Sequence, residues 1–94
     1  MATRTEILEK ASVAVINHDR DFAKKIAEEA LAAGISPLEI IEEGFTRALE
    51  DIGKKFESGK LNLPHLIMSC EAMGAGINIL KPEMERQNEI LKRP

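Results

Sequence analysis

Residues 36–57 read SPLEIIEEGFTRALEDIGKKFE, and this stretch decides the fold class. Ser36 supplies a hydroxyl cap. Pro37 suits a first helical turn, where its missing amide is not needed. Glu39 stands three residues after the cap. Leu38, Ile41, Phe45, Leu49, Ile52 and Phe56 then recur at threes and fours. That spacing marks one face of a helix rather than the alternation of a strand. It predicts a single helix over 37–57, roughly 30 Å long at about 1.5 Å per residue, ended by Ser58-Gly59.

Three more helical segments flank it. The first, over 5–16, opens with Thr3 and Glu6 in capping-box spacing and carries Ile7, Leu8, Ala11, Val15 and Ile16. Asn17-His18-Asp19 then suits a tight turn. The second, over 21–33, is capped by Asp19 or Asp21, turns Phe22, Ile26, Ala30 and Ala33 inward, and stops at Gly34. The fourth, over 63–80, starts at Leu63-Pro64 and aligns Leu66, Cys70, Met73, Ile77 and Leu80. Pro82, with no amide to donate, is expected to break or kink it. Residues 83–94 then read as a polar linker or a short extra helix. The links are short, so neighbouring helices should run roughly antiparallel. The sequence thus predicts an all-α four-helix bundle over 1–82.

Composition agrees. The chain has 94 residues, 44% hydrophobic and only 3% aromatic, so its core must be aliphatic, which favours helix-on-helix packing. The net charge is −3, and the basic residues are scattered among acidic ones. Phosphate backbones need clustered cations, which argues against a nucleic-acid partner. Glu50 with Lys54 and Asp51 with Lys55 have helical ion-pair spacing. One cysteine permits no internal disulfide. No apolar run is long enough for a membrane span and no signal pattern opens the chain, so the cytoplasm is the expected location.

The fourth segment crowds Ser69, Cys70, Ala72, Gly74, Ala75 and Gly76 into little more than two turns. Each interior glycine costs a helix about 1 kcal/mol relative to alanine. Either a neighbouring helix backbone comes close on that face, or a flat, bulky ligand lies against it.

The order of motifs resembles a known family. Ala32-Ala33-Gly34-Ile35-Ser36-Pro37-Leu38, Gly44-Phe45, Ile52-Gly53-Lys54-Lys55-Phe56-Glu57-Ser58-Gly59-Lys60, Leu63-Pro64, Glu71-Ala72-Met73 and Leu80-Lys81-Pro82 are similar to the helical cap of corrinoid (cobalamin) methyl-carrier proteins. These serve methylamine and methanol metabolism, and a like cap occurs in cobalamin-dependent methionine synthase. The resemblance implies a four-helix cap over the upper, methyl-bearing face of the corrin. That cap moves aside so that a substrate methyltransferase and a corrinoid-to-acceptor methyltransferase can reach the cobalt. It also implies a following α/β domain with a D-x-H-x-x-G motif, whose His ligates the metal from below. Neither His18 nor His65 stands in that motif. The chain therefore reads as the cap alone, with 83–94 leading towards an absent cobalamin-binding domain and with no metal ligand of its own.

Carried over residue by residue, the resemblance puts Asn62, His65, Ser69, Ala72 and Met73 against the corrin. Relatives commonly have an aromatic residue where Asn62 stands; asparagine is also a good helix cap. His65 follows Pro64, as in methylamine-type relatives; the alternative reading is an exposed or half-buried polar residue. Met73 at helical spacing also suits a core. Cys70 reads as a small buried hydrophobe, Phe45 and Phe56 as core anchors, Gly53 as room for two helices to close, and His18 as structural.

No catalytic constellation is apparent: no Ser/His/Asp pattern, metal triad or phosphate loop. An accessory, non-enzymatic role is expected. The competing expectation is a cofactor-free helical module that dimerises through an exposed apolar face.

Overall fold

The computed structural model describes the backbone of residues 3–92 and the side chains of residues 3–87. It is all-helical over that span. Its elements are α1 (Arg4–Ile16), α2 (Arg20–Ala32), α3 (Pro37–Glu39), a π-helical segment (Ile40–Phe45), α4 (Thr46–Glu57) and α5 (Leu63–Lys92). The dihedrals at the junctions Glu39, Ile40, Phe45 and Thr46 are all right-handed helical, so α3, the π segment and α4 form one continuous rod. Counted that way, the molecule is a four-helix bundle.

Each of the four helical rods begins with a side-chain cap. Thr3 Oγ1 accepts from the Glu6 amide at 3.2 Å, and Asp19 Oδ1 from Phe22 at 3.1 Å. Ser36 Oγ accepts from Glu39 at 3.2 Å, and Asn62 Oδ1 from His65 at 3.1 Å. Every cap therefore satisfies one of the amides that a helix start leaves without a partner.

The ends are equally regular. After α1, the His18 amide donates to the Val15 carbonyl and Asp19 to Ala14. After α2, Gly34 donates to Leu31 and Ile35 to Ala30; after α4, Gly59 donates to Phe56 and Lys60 to Lys55. All three are Schellman closures, which require a left-handed residue just past the cap. Gly34 (φ 83°) and Gly59 (φ 80°) fill that position at little cost, and His18 fills it at φ 45°.

The π segment changes which residues face inward. The Thr46 amide reaches back to Ile41, five residues rather than four, so one extra residue enters the turn. Pro37 is buried before it, Ile40 and Phe45 at its two ends, and Ala48 and Ile52 after it. The uniform stripe expected from Leu38 to Phe56 therefore fails at both ends. Leu38 is 60% exposed and Phe56, in the last turn of α4, is 39% exposed, whereas Phe45 is fully buried. The Ser12 hydroxyl donates to the Gly44 carbonyl at 2.6 Å and ties α1 to this irregular turn. The Arg4–Glu39 ion pair ties α1 to α3.

Helix α2 packs mainly on α5 and α1. Its buried face is Ala23, Ile26, Ala27 and Ala30, and the buried stripe of α5 is Ser69, Ala72, Gly76 and Leu80. These are mostly small side chains, so the two backbones come close. Cys70 is exposed, outside that stripe, contrary to its expected burial. Contact distance set the inward register of α5, and Ser69 and Gly76 permit an approach that larger residues would block.

Gly53 does not mediate close packing, because a Cβ built there meets nothing within 4 Å. Gly53→Ala is accordingly expected to stabilise the domain by about 0.5–1 kcal/mol, the helix-propensity gain alone. Thermal unfolding checks this, and a lowered midpoint would refute it.

Pro82 does not end α5, which runs unbroken from Leu63 to Lys92. The proline deprives only the carbonyl of Asn78 of its donor, and Asn78 is exposed, so water can replace that bond. Met84 still packs against the core one half-turn later. Glu83 accepts from Arg86 and from Gln87 (3.1 Å), bracing the next turn, and the Arg86 guanidinium holds its carboxyl below the usual carboxylate range. Among the described residues no helix is long and apolar enough to cross a membrane.

Candidate functional site

The first turn of α5 is built around Asn62. Its side-chain oxygen caps the His65 amide, and its backbone carbonyl accepts from Leu66 at 3.3 Å. Asn62 and His65 are both exposed. His65 lies edge-on against His18, with ring centroids 4.9 Å apart and ring planes at 73°. The turn after α1 thus touches the start of α5.

Around this turn the helix is apolar on its outer side. Leu63 is 55% exposed, Ile67 49% and Met68 45%, while Leu66 turns inward against the core. Leu63 and Ile67, one turn apart, form an open apolar strip of the kind that often meets a partner, with Met68 further round the helix. One turn further on, Arg20 of α2 pairs with Glu71 of α5 across the open side.

The five candidate residues divide into two groups. Asn62 and His65 stand together at the exposed tip. Ser69 (1% exposed) and Ala72 (0%) lie inside the bundle, and Met73 is half-buried against the core. On this face the small residues admit neighbouring protein: a Cβ on Gly76 would lie 2.5 Å from Phe45 Cζ. Gly74 is different, since a Cβ there meets nothing within 4 Å. It lines a groove with Arg20, Lys24, Glu71, Ala75 and Asn78. A surface groove of about 580 Å³ lies between α1 and the π-to-α4 rod, and none of the five candidates lines it.

Ser69 carries the one buried hydroxyl in the α5 stripe, and its Oγ has no hydrogen-bond partner. A buried, unpaired hydroxyl carries a desolvation cost of about 1–3 kcal/mol. Ser69→Ala is therefore expected to raise the stability of the chain by about 1 kcal/mol. Urea unfolding checks it, and a loss of stability would reveal a bond that the hydroxyl makes.

Among the described residues no three His, Cys, Asp or Glu side chains are grouped to hold a metal. The tip offers exposed apolar side chains and two imidazole rings in contact.

Sequence reasoning missed two parts of this site. The His18–His65 contact joins segments distant in the chain, and its one local signal is a histidine where the other two helix closures have glycine. The exposed Leu63 and Ile67 are spaced i to i+4 on a face that the inward-stripe reading left out.

The family model described as "B12 binding domain" matches residues 7–81. Trimethylamine corrinoid protein 1 of Methanosarcina acetivorans is 47% identical over 92 residues, which covers 98% of this chain and 43% of that protein. Monomethylamine corrinoid protein 2 of Methanosarcina mazei is 43% identical over 84 residues, 89% of this chain and 38% of that protein. The solved structure of the Methanosarcina barkeri monomethylamine corrinoid protein superposes with a TM-score of 0.84 at 35% identity, covering 88% of this chain and 39% of the other. The chain thus spans less than half the length of the curated relatives it matches.

Proposed function

This chain belongs to the B12 binding domain family, and from that membership we propose that it is the helical cap of a corrinoid methyl carrier in a methylamine methyltransferase system. The observation that carries the reading is the open apolar tip of α5, Leu63, Ile67 and Met68 beside Asn62 and His65, on a helix whose other face is packed. The methylamine class follows from the relatives, which are trimethylamine and monomethylamine corrinoid proteins.

When bound, the cobalamin supplies the metal that carries the methyl group. The rest falls to this chain. Asn62 fixes the first turn of α5, so His65 and Leu63 are presented at a set height. Leu63, Ile67 and Met68 exclude water from the upper face of the corrin, which suppresses side reactions. Ser69 and Ala72 serve from beneath, as the small residues that let α5 lie close on α2. Met73 fills the core under the same turn. The bundle moves as one body to open the face, because its helices share a single core.

The partners in this reading are the cobalamin-binding α/β domain, the substrate methyltransferase and the methyltransferase that passes the methyl group on. The chain itself takes no catalytic part. Its free cysteine, Cys70, accords with a reducing compartment such as the cytoplasm.

A shielding assay tests the reading. The chain is added to the cobalamin-loaded α/β domain of a trimethylamine corrinoid relative, and oxidation of the reduced cobalt is followed by absorbance. The chain is expected to slow oxidation, and Leu63→Ser and His65→Ala to weaken that protection. An unchanged rate contradicts the cap role. Self-association through the Leu63 patch without protection would favour the dimerisation module instead.

A further inference from the structure

We propose that His18 is a positioning residue, which holds the His65 imidazole in place at the tip of α5. The inference deepens the cap reading, and it rests on that reading for the role of His65 itself.

Three helices close with the same pair of backbone bonds, and each closure needs one left-handed residue. Two of these are Gly34 and Gly59; the third is His18 at φ 45°. A non-glycine residue there is strained, and histidine has no role in the backbone bonds that glycine could not fill. A favourable contact of its side chain offsets that strain.

Its side chain meets His65. The rings are 4.9 Å apart at 73°, an edge-to-face arrangement that aromatic pairs favour. His18 is half-buried and His65 exposed, so His18 acts as the anchored member of the pair. A histidine in the first turn of a helix and open to solvent would otherwise sample several rotamers. Contact with an anchored ring limits that choice, and a fixed ring loses less entropy when a planar partner arrives.

Two variants separate positioning from a structural role. His18→Gly relaxes the strained residue and keeps the closure, so the unfolding midpoint should hold or rise. The same variant should shift the His65 ring-proton resonances in the NMR spectrum of the chain alone, because the neighbouring ring current is lost. His18→Phe restores a ring at the same place and should return most of that shift. In the shielding assay, His18→Gly should weaken protection in the same direction as His65→Ala, and the double variant should lose no more than His65→Ala alone.

Unchanged His65 resonances in His18→Gly would overturn the proposal, as would additive losses in the double variant. The NMR result needs no cobalamin. Shifted resonances with His65→Ala neutral in the shielding assay would uphold the His18–His65 contact and overturn its bearing on the cofactor face.

Discussion

Replacing Phe45 with alanine is expected to remove about 3–5 kcal/mol of stability, as large-to-small changes at buried aromatics do. Phe45 is fully buried and the largest of the side chains with no solvent contact. Its position is fixed twice. The π segment turns it inward together with Ile40, and its ring lies against Gly76 of α5. A domain of this size typically has a stability of ~5–14 kcal/mol, at about 0.05–0.15 kcal/mol per residue. The substitution therefore takes away a large share of what holds the bundle together. A urea titration measures it through the midpoint at constant slope. A loss below about 1 kcal/mol, far under the range for a buried ring, would mean that the Phe45 ring is not at the centre of the core.

Gly76→Ala is the second large effect, and its sign is the informative part. In a helix the change alone favours alanine by about 1 kcal/mol. Here the new Cβ would stand 2.5 Å from Phe45 Cζ and 2.9 Å from its Cε2, well inside contact distance. The clash falls on a rigid ring with no free rotamer, so overpacking of about 1–3 kcal/mol is expected and the net change is a loss. Gly53→Ala, with open space around it, should move the other way. Adding Phe45→Leu to Gly76→Ala should recover part of the loss, because the two residues share one contact. If Gly76→Ala stabilises as Gly53→Ala does, the close approach of α5 to the π segment is wrong.

These two residues also mark how far the sequence could be read. Ser36, Pro37 and Glu39, with Thr3 and Gly34, announce their helix ends through local chemistry, and all appear where expected. The π turn has no such signal. Ile40 and Phe45 satisfy a helical pattern with or without an extra residue, and the shift shows in the Thr46 amide, which bonds back to Ile41. The expected α5 stripe holds at Leu66, Met73, Ile77 and Leu80 and fails at Cys70. A hydrophobicity pattern brings Cys70 inside, whereas the bundle buries the small residues Ser69, Ala72 and Gly76, the last against the Phe45 ring.

The candidate site was legible only in part. Asn62 and His65 follow from a local signature, Leu63-Pro64 at a helix start, together with family resemblance. Their exposure suits a contact role. Ser69 and Ala72 came from the same resemblance and lie inside the bundle. His18 could not be found by spacing, because its partner is supplied by tertiary contact.

The central claim is that the tip of α5 is the surface that meets the corrin. Amide chemical-shift mapping of the chain tests it most directly, with titration of the cobalamin-loaded α/β domain of a trimethylamine corrinoid relative. The account predicts saturable shifts centred on Asn62, Leu63, His65 and Ile67. It predicts none in the groove lined by Arg4, Ser12 and Arg47. Shifts confined to that groove, or no shifts at concentrations where the relative's own cap binds, would contradict it.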